Sequence, residues 1–216
     1  MGVTYSHLEA LPSTRRSIVE QIKKSGTRGA DDIAAHVGIT VQAARHHLTT
    51  LERDGLLSHS ELRDGMGRPK HLYALTPAGD TLFPRNYADL TNELLEYVED
   101  ENPELLDRIF DRRAQRRLEQ ARREMVGASF PQKVRVLAQI LDQDGYLAEF
   151  QALADGTFII TEHNCAVLSV ALRYGHACSS ELDFLRAAIP EAEVTRIAHR
   201  IAGGHVCAYL IKPRDG

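Results

Sequence analysis

The most informative region of the sequence is residues 30–57, which read ADDIAAHVGITVQAARHHLTTLERDGLL. It predicts a short helix over 31–37, a turn at Gly38 and a second helix over 41–54. Gly38 suits the turn because glycine adopts positive φ freely, and Thr40 is a good N-cap for the second helix. Two helices joined by a three-residue turn form the helix-turn-helix pattern.

The second helix has one apolar face and one polar face. Residues that recur at helical spacing predict its buried side: Val41, Ala44, Leu48 and Leu51. The opposite side carries polar or small groups: Gln42, Ala43, His46, Thr49, Thr50 and Arg53. The N-terminal half of such a helix enters the major groove, which predicts the DNA contacts Thr40, Gln42, Ala43, Arg45 and His46. A solvated polar face is the alternative interpretation.

Two strands are predicted next, at 56–62 and 71–76, because apolar and polar residues alternate in LLSHSEL and HLYALT. The segment between them, RDGMGRPK at 63–70, holds two glycines, one proline and three basic residues. A cationic hairpin that follows a helix-turn-helix is typical of a wing. We predict that Arg68 reaches the minor groove and that Lys70 contacts phosphate.

Composition and charge are those of an ordinary globular chain. The 216 residues are 43% hydrophobic and 26% charged, with a formal net charge of −4. No run approaches the length of an apolar membrane helix, and no basic-then-apolar leader is present, so we expect a cytoplasmic protein. The first 80 residues carry 10 Lys and Arg against 9 Asp and Glu. DNA contact there must therefore depend on local geometry more than on bulk charge.

Residues 83–126 are predicted to form two helices with a break at 101–103, where Pro103 suits a first helical turn. The second helix ends in the mostly polar sequence RRAQRRLEQARREM. A polar helix with a narrow apolar seam needs a partner, which predicts a homodimer joined through these helices. The arginine run is open to two interpretations: a nucleic-acid-binding strip, or a solvated face paired with nearby acidic residues.

The last ninety residues are predicted to mix helices and strands. A helix ends at Gly145, a hairpin turns at Asp155-Gly156, and a final strand follows Gly203-Gly204. The whole chain is therefore expected to be an α+β protein. Its predicted parts are a winged helix-turn-helix DNA-binding domain at 1–82, central dimerisation helices at 83–126 and a small α/β sensor domain at 127–216.

All three cysteines lie in this last part: Cys165, Cys178 and Cys207. Each is predicted at the end of an element, where side chains can converge on an ion without disrupting a core. There are 12 residues between the first two and 28 between the last two, and no C-x-x-C pair, which argues against a zinc ribbon or a thioredoxin-type site. Buried structural cysteines are the alternative. Four nearby histidines could add a ligand: His163, His176, His199 and His205.

Together these segments resemble the SufR-type iron–sulfur repressors, winged-helix proteins allied to the ArsR/DeoR-like regulators. The matching segments are TVQAARHHLTTLERDGLL at 40–57, GRPKHLYALTPAGD at 67–80, TEHNC at 161–165, the cysteine 13 positions further on, and GGHVCAYLI at 203–211. The resemblance implies a homodimer that represses cluster-assembly genes while it holds an iron–sulfur cluster. The cluster would be [4Fe–4S], with [2Fe–2S] as the alternative, on Cys165, Cys178 and Cys207.

Some members of that family have a fourth cysteine where this chain has Ala192. The fourth ligand is therefore predicted to be His199, ahead of His163 or an exogenous thiol or water. A bound cluster would tie three separated elements together. The hypothesis is that it sets the spacing of two recognition helices on a palindromic operator.

Two other functions fit parts of the sequence. The same domain could sense zinc, another metal or a small organic molecule. A thiol-dependent enzyme could use Cys165 as nucleophile and His163 as base, since residues two apart on a strand share a face. No glycine loop for an oxyanion and no orienting acid is evident, and the winged helix would go unexplained, so no enzymatic activity is expected.

Overall fold

The computed structural model describes residues 7–62 and 69–214. The chain divides into two units, Met1–Asn86 and Tyr87–Gly216. Each unit combines helices with one antiparallel sheet. Within the described ranges, no helix is both long enough and apolar enough to cross a membrane.

Within its described residues, the first unit contains a 3₁₀ turn at His7–Ala10, four helices and three strands. The helices are α1 (Ser13–Ser25), α2 (Ala30–Val37), α3 (Val41–Arg53) and α4 (Pro77–Asp80). The strands are β1 (Arg28–Gly29), β2 (Leu57–Leu62) and β3 (Lys70–Leu75), in the order β1-β3-β2. The predicted helix-turn-helix and the two strands of the predicted wing are therefore present.

The core of this unit follows from the apolar stripes of its helices. Fully buried side chains come from all three longer helices: Ile18, Val19, Ile22, Ile33, Leu48 and Leu51. Gly38 ends α2 with φ 74°, the left-handed conformation that glycine adopts without strain. One assignment on α3 was wrong. Thr50 is buried, not outward, and its hydroxyl donates a hydrogen bond to the His46 carbonyl at 3.0 Å.

The described part of the second unit contains five helices and four strands. The helices are α5 (Tyr87–Glu101), α6 (Pro103–Glu124), α7 (Phe130–Gln143), α8 (Leu168–Ala171) and α9 (His176–Ala188). The strands are β4 (Ala148–Ala152), β5 (Phe158–Glu162), β6 (Ala192–Ala198) and β7 (Cys207–Pro213), in the order β4-β5-β7-β6. A 3₁₀ turn at Arg200–Ala202 precedes β7.

One face of this sheet packs against helices. Its inward residues meet those of α7 and α9 in one core: Phe158, Ile160, Tyr209 and Ile211 with Leu137, Leu141, Phe184 and Leu185. Helix α6 joins the same core through Leu118 and Ala121. Helices α5 and α6, predicted as part of a separate central region at 83–126, thus belong to the same unit as the sheet.

Candidate metal centre and nucleic-acid interface

The predicted DNA-contact residues of α3 lie on its exposed side. Gln42, Arg45 and His46 are exposed, while Ala43 is half-buried. The hydroxyl oxygen of Thr40 accepts a hydrogen bond from the Ala43 N–H at 3.2 Å, so it caps the helix as predicted. These side chains can offer donors and acceptors to base edges and phosphates.

Three of the predicted DNA contacts are basic residues. The Arg45 side chain is 67% exposed, and its guanidinium lies 3.8 Å from the Asp31 carboxylate. Such an exposed pair is weak and leaves the arginine able to reach a phosphate. Lys70 is exposed at the start of β3. Arg68 lies outside the described residues.

The three cysteines lie at element ends, as predicted. Cys165 is in the loop after β5, Cys178 is in the first turn of α9, and Cys207 is the first residue of β7. Cys207 is buried and the other two are half-buried. The backbone N–H of Arg200 donates to the Cys207 Sγ at 3.4 Å. N–H donors of this kind also surround cluster-bound sulfurs.

Burial and nearby charges act on all three thiols. Burial, then the Glu181 carboxylate and the thiols of Cys165 and Cys207, raises the pKa of Cys178 to about 11 against the opposing charge of Arg196. Burial likewise raises the pKa of Cys165 and of Cys207. The uncomplexed thiols are therefore protonated at neutral pH. A raised pKa at Cys165 is the opposite of what a nucleophilic cysteine requires.

The three thiols do not surround a position for a single metal ion. Among the described residues, no group of three or more His, Cys, Asp and Glu side chains is arranged to hold one metal ion. A four-coordinate ion holds its sulfur ligands at about 2.3 Å, whereas an iron–sulfur cluster binds each cysteine through a different iron. Cysteine thiolates are the type of donor that holds iron–sulfur clusters.

The four histidines differ in their surroundings. The Nε2 atom of His199 is buried and has no hydrogen-bond partner. Burial, then the charge of Arg196, lowers the pKa of His199, so its imidazole is neutral at physiological pH. His163 is half-exposed with its Nε2 3.6 Å from Glu149. His176 pairs with Asp111 and Asp107 on α6, and His205 is exposed.

Ala192, the position of a fourth cysteine in some SufR-type proteins, lies at the wrong end of the sheet to join this site. It pairs with Pro213 at the end of β7, whereas Cys207 begins that strand. Six residues of extended chain span about 20 Å. A cysteine at 192 would therefore lie far from the three thiols.

Sequence reasoning missed two buried glutamates beside the thiols. Glu181 on α9 accepts a hydrogen bond from the Tyr209 hydroxyl at 2.7 Å and lies 3.4 Å from Arg117 of α6. Glu162, at the end of β5, is only 2% exposed, and its Oε1 atom has no partner. Burial, then the charge of Glu181, raises the pKa of Glu162 to about 9. Alternation in FIITE was the available signal, because it places Glu162 on the same face as Phe158 and Ile160.

Comparisons with known proteins match parts of the chain. A family model described as FaeA-like protein matches residues 14–69. A MarR family regulator from Neisseria meningitidis is 22% identical, with a TM-score of 0.31, over 43% of this chain and 61% of that one. PadR from Bacillus subtilis, solved with operator DNA, is 14% identical with a TM-score of 0.31, over 61% of this chain and 91% of that one.

A MarR family transcriptional regulator from Silicibacter pomeroyi is 19% identical, with a TM-score of 0.32. That match covers 45% of this chain and 64% of the other. The chain thus spans under two thirds of the length of both MarR family structures. No curated protein matches the chain.

Proposed function

We propose that this protein is a cytoplasmic, dimeric DNA-binding transcriptional regulator whose second unit senses an iron–sulfur cluster through Cys165, Cys178 and Cys207. In this proposal it acts as a SufR-like repressor of cluster-assembly genes. The observation that carries the proposal is the pairing, in one chain, of an exposed recognition-type helix with three neighbouring thiols. A regulator that uses the same domain for zinc or an organic ligand is the alternative.

The DNA-binding part rests on α3 and the two-stranded wing. The α3 side chains Gln42, Arg45 and His46 are exposed and largely uncommitted to intramolecular bonds. Thr40 fixes the start of the helix that carries them. A helix of this kind reads base edges with its N-terminal residues, while arginine and lysine neutralise phosphates.

We expect the full chain to enrich one duplex sequence from a randomised double-stranded pool. Arg45→Ala should weaken binding to that duplex about tenfold and lower the slope of log affinity against log salt by about 1, because one phosphate contact is lost. Fluorescence anisotropy at several salt concentrations measures both quantities. Lys24→Ala, which removes an exposed charge from α1, is the matched control and should change affinity less than twofold. A pool without any enriched sequence would contradict the proposal.

The dimer rests on an exposed apolar stripe on α5. Leu90, Leu94 and Tyr97 are 48%, 54% and 56% exposed, at spacings of four and three residues. This is the seam spacing of paired helices. The opposite face of α5 is already used, because Leu95 and Val98 pack against the core that contains α6.

Charge supports a second copy as the partner of this stripe. Helix α5 holds six acidic residues and no basic one. The exposed side of α6 presents Leu105 and Ile109, followed by Arg112 and Arg116. Two copies related by a two-fold axis can therefore pack the acidic α5 of each against the arginine-rich α6 of the other.

Leu94→Glu should convert the dimer to monomer at micromolar concentration, because the interface would bury an unpaired carboxylate. Such burial costs several kcal/mol, enough to raise the dimer dissociation constant more than about 100-fold. Sedimentation velocity measures the change. Val126→Glu, at an apolar residue that is 84% exposed and lies outside the stripe, should leave the dimer intact. If the wild-type protein is monomeric at a protein concentration 50-fold above the midpoint of DNA binding, this part of the proposal is contradicted.

The coupling between the thiols and the dimer rests on contacts within the second unit. The segment 165–178 begins and ends with a cysteine and packs on α5: Asn92 Nδ2 donates to the Ser169 carbonyl at 3.4 Å, and Arg173 lies 2.8 Å from Glu96. When bound, a cluster supplies an oxygen-sensitive cross-link among Cys165, Cys178 and Cys207. Fixing both ends of this segment would fix the helix that bears the dimer stripe.

A further inference from the structure

The carboxyl of Glu162 is an unexplained buried group beside the thiols. Glu162 ends β5 and lies directly opposite Cys207 of β7 in the antiparallel ladder. Residues in such a pair share a sheet face, with Cβ atoms about 4.5–5.5 Å apart. Cys165 follows Glu162 by three residues, just after the strand ends. Two of the three thiols are therefore its neighbours.

The Oε1 atom of Glu162 is buried and has no hydrogen-bond partner among the described residues. The nearby Glu181 differs, because its carboxylate is satisfied by Tyr209 and Arg117. A buried polar atom without a partner destabilises the fold, and a charged one does so more strongly. Such an atom in a native fold calls for an explanation, and an absent ligand is one.

We propose that Glu162 supplies the fourth, oxygen ligand of the group held by Cys165, Cys178 and Cys207. This inference rests on the proposed function. Carboxylate is an accepted ligand of iron, and the positive charge of iron would remove the cost of the buried, unpartnered oxygen. It differs from the sequence-based prediction, which placed His199 in this role.

Glu162 fits this role better than His199 for two reasons. Its side chain shares a face with Cys207 by strand register, and it ends the strand from which Cys165 follows three residues later. His199 also lies next to Cys207, because Ala198 pairs with Ala208, but it is less deeply buried than Glu162. Its unpartnered Nε2 makes it the variant to test alongside.

The experiment compares full-length wild type, Glu162→Gln, Glu162→Cys and His199→Ala after anaerobic reconstitution with ferrous iron and sulfide. The readouts are iron and sulfide per chain, the electron paramagnetic resonance spectrum and the rate of iron removal by a chelator. Glu162→Gln keeps the size of the side chain and removes its anionic donor. We expect it to lose one iron per cluster, and to release the rest at least about tenfold faster.

Glu162→Cys replaces the oxygen with a thiolate and should restore four irons with slower release than wild type. His199→Ala and the exposed control Glu149→Gln should match wild type. If His199→Ala loses iron while Glu162→Gln behaves as the wild-type protein does, the inference is overturned, and the His199 imidazole is the fourth ligand instead. If Glu162→Gln and His199→Ala both behave as the wild-type protein does, the inference is overturned in favour of an external ligand. A wild type that binds no iron and sulfide would overturn the proposed function as well.

Discussion

Cys178→Ser is expected to abolish stable binding of iron and sulfide by the reconstituted protein. Serine keeps the size of the side chain but offers a hard oxygen in place of a soft thiolate, and the two remaining thiols cannot hold the group alone. Even the loss of an outer-shell partner costs a metal site 10- to 100-fold in affinity, so loss of a ligand should exceed about 100-fold. Iron and sulfide analysis with a visible absorption spectrum measures the change.

The matched control for this variant is the neighbouring Ser179→Ala. Ser179 is exposed, and its hydroxyl only donates to the His176 carbonyl at 3.3 Å within the same turn. It should retain the full content of iron and sulfide. Unchanged iron content in Cys178→Ser, with wild-type folding, would show that the thiol is only a buried structural group.

Arg117→Met is expected to destabilise the second unit by about 3–5 kcal/mol, because it removes the cation from a buried ion-pair network. Arg117 is 5% exposed, and its guanidinium contacts Asp144 at 2.5 Å and Glu181 at 3.4 Å. Methionine fills similar space but leaves Glu181 without its cation and next to Glu162. The sheet of this unit should then unfold at a lower denaturant concentration than it does in the wild-type protein.

Hydrogen exchange followed by mass spectrometry measures this effect unit by unit. Peptides from β5, β7 and α9 should lose protection, while those from α1 to α3 should not. Arg112→Met, on the exposed side of the same helix, should change stability by less than about 0.5 kcal/mol. Equal protection in Arg117→Met and wild type would mean that the network contributes little to stability.

Local sequence signals predicted the secondary structure well, because the residues that start and stop each element lie within it or next to it. The helix-turn-helix follows from the Gly38 turn, the Thr40 cap and a stripe of apolar residues on α3. The break between α5 and α6 follows from Asn102 and Pro103, which cap and begin α6. These signals act within a few residues, so no tertiary information is needed to read them.

Tertiary effects account for what the sequence did not predict. Thr50 is buried in the folded unit, although a helical wheel places it on the outward side of α3. The acidic residues Asp107 and Asp111, candidates for pairing with the arginine run, instead contact His176 on α9. Such contacts join residues more than 60 positions apart, where periodicity carries no information.

The candidate site was predicted only in part, because tertiary contacts also determine which residues it contains. Cys165, Cys178 and Cys207 were singled out by residue type, and the structure places them at the predicted element ends. Glu162 was not singled out, although it occupies an inward position of its strand. Its place beside Cys207 depends on the strand register, and register comes from the assembled sheet.

The most direct test of the account is the affinity of the full-length protein for its selected DNA duplex, measured without oxygen in the reconstituted and the iron-free states. Coupling between two sites is typically worth 5- to 150-fold in affinity. We predict that the reconstituted protein binds the duplex at least about tenfold more tightly, and that Cys178→Ser shows no difference between the two preparations. Equal affinity of the wild-type protein in both states would contradict the claim that the three thiols control DNA binding.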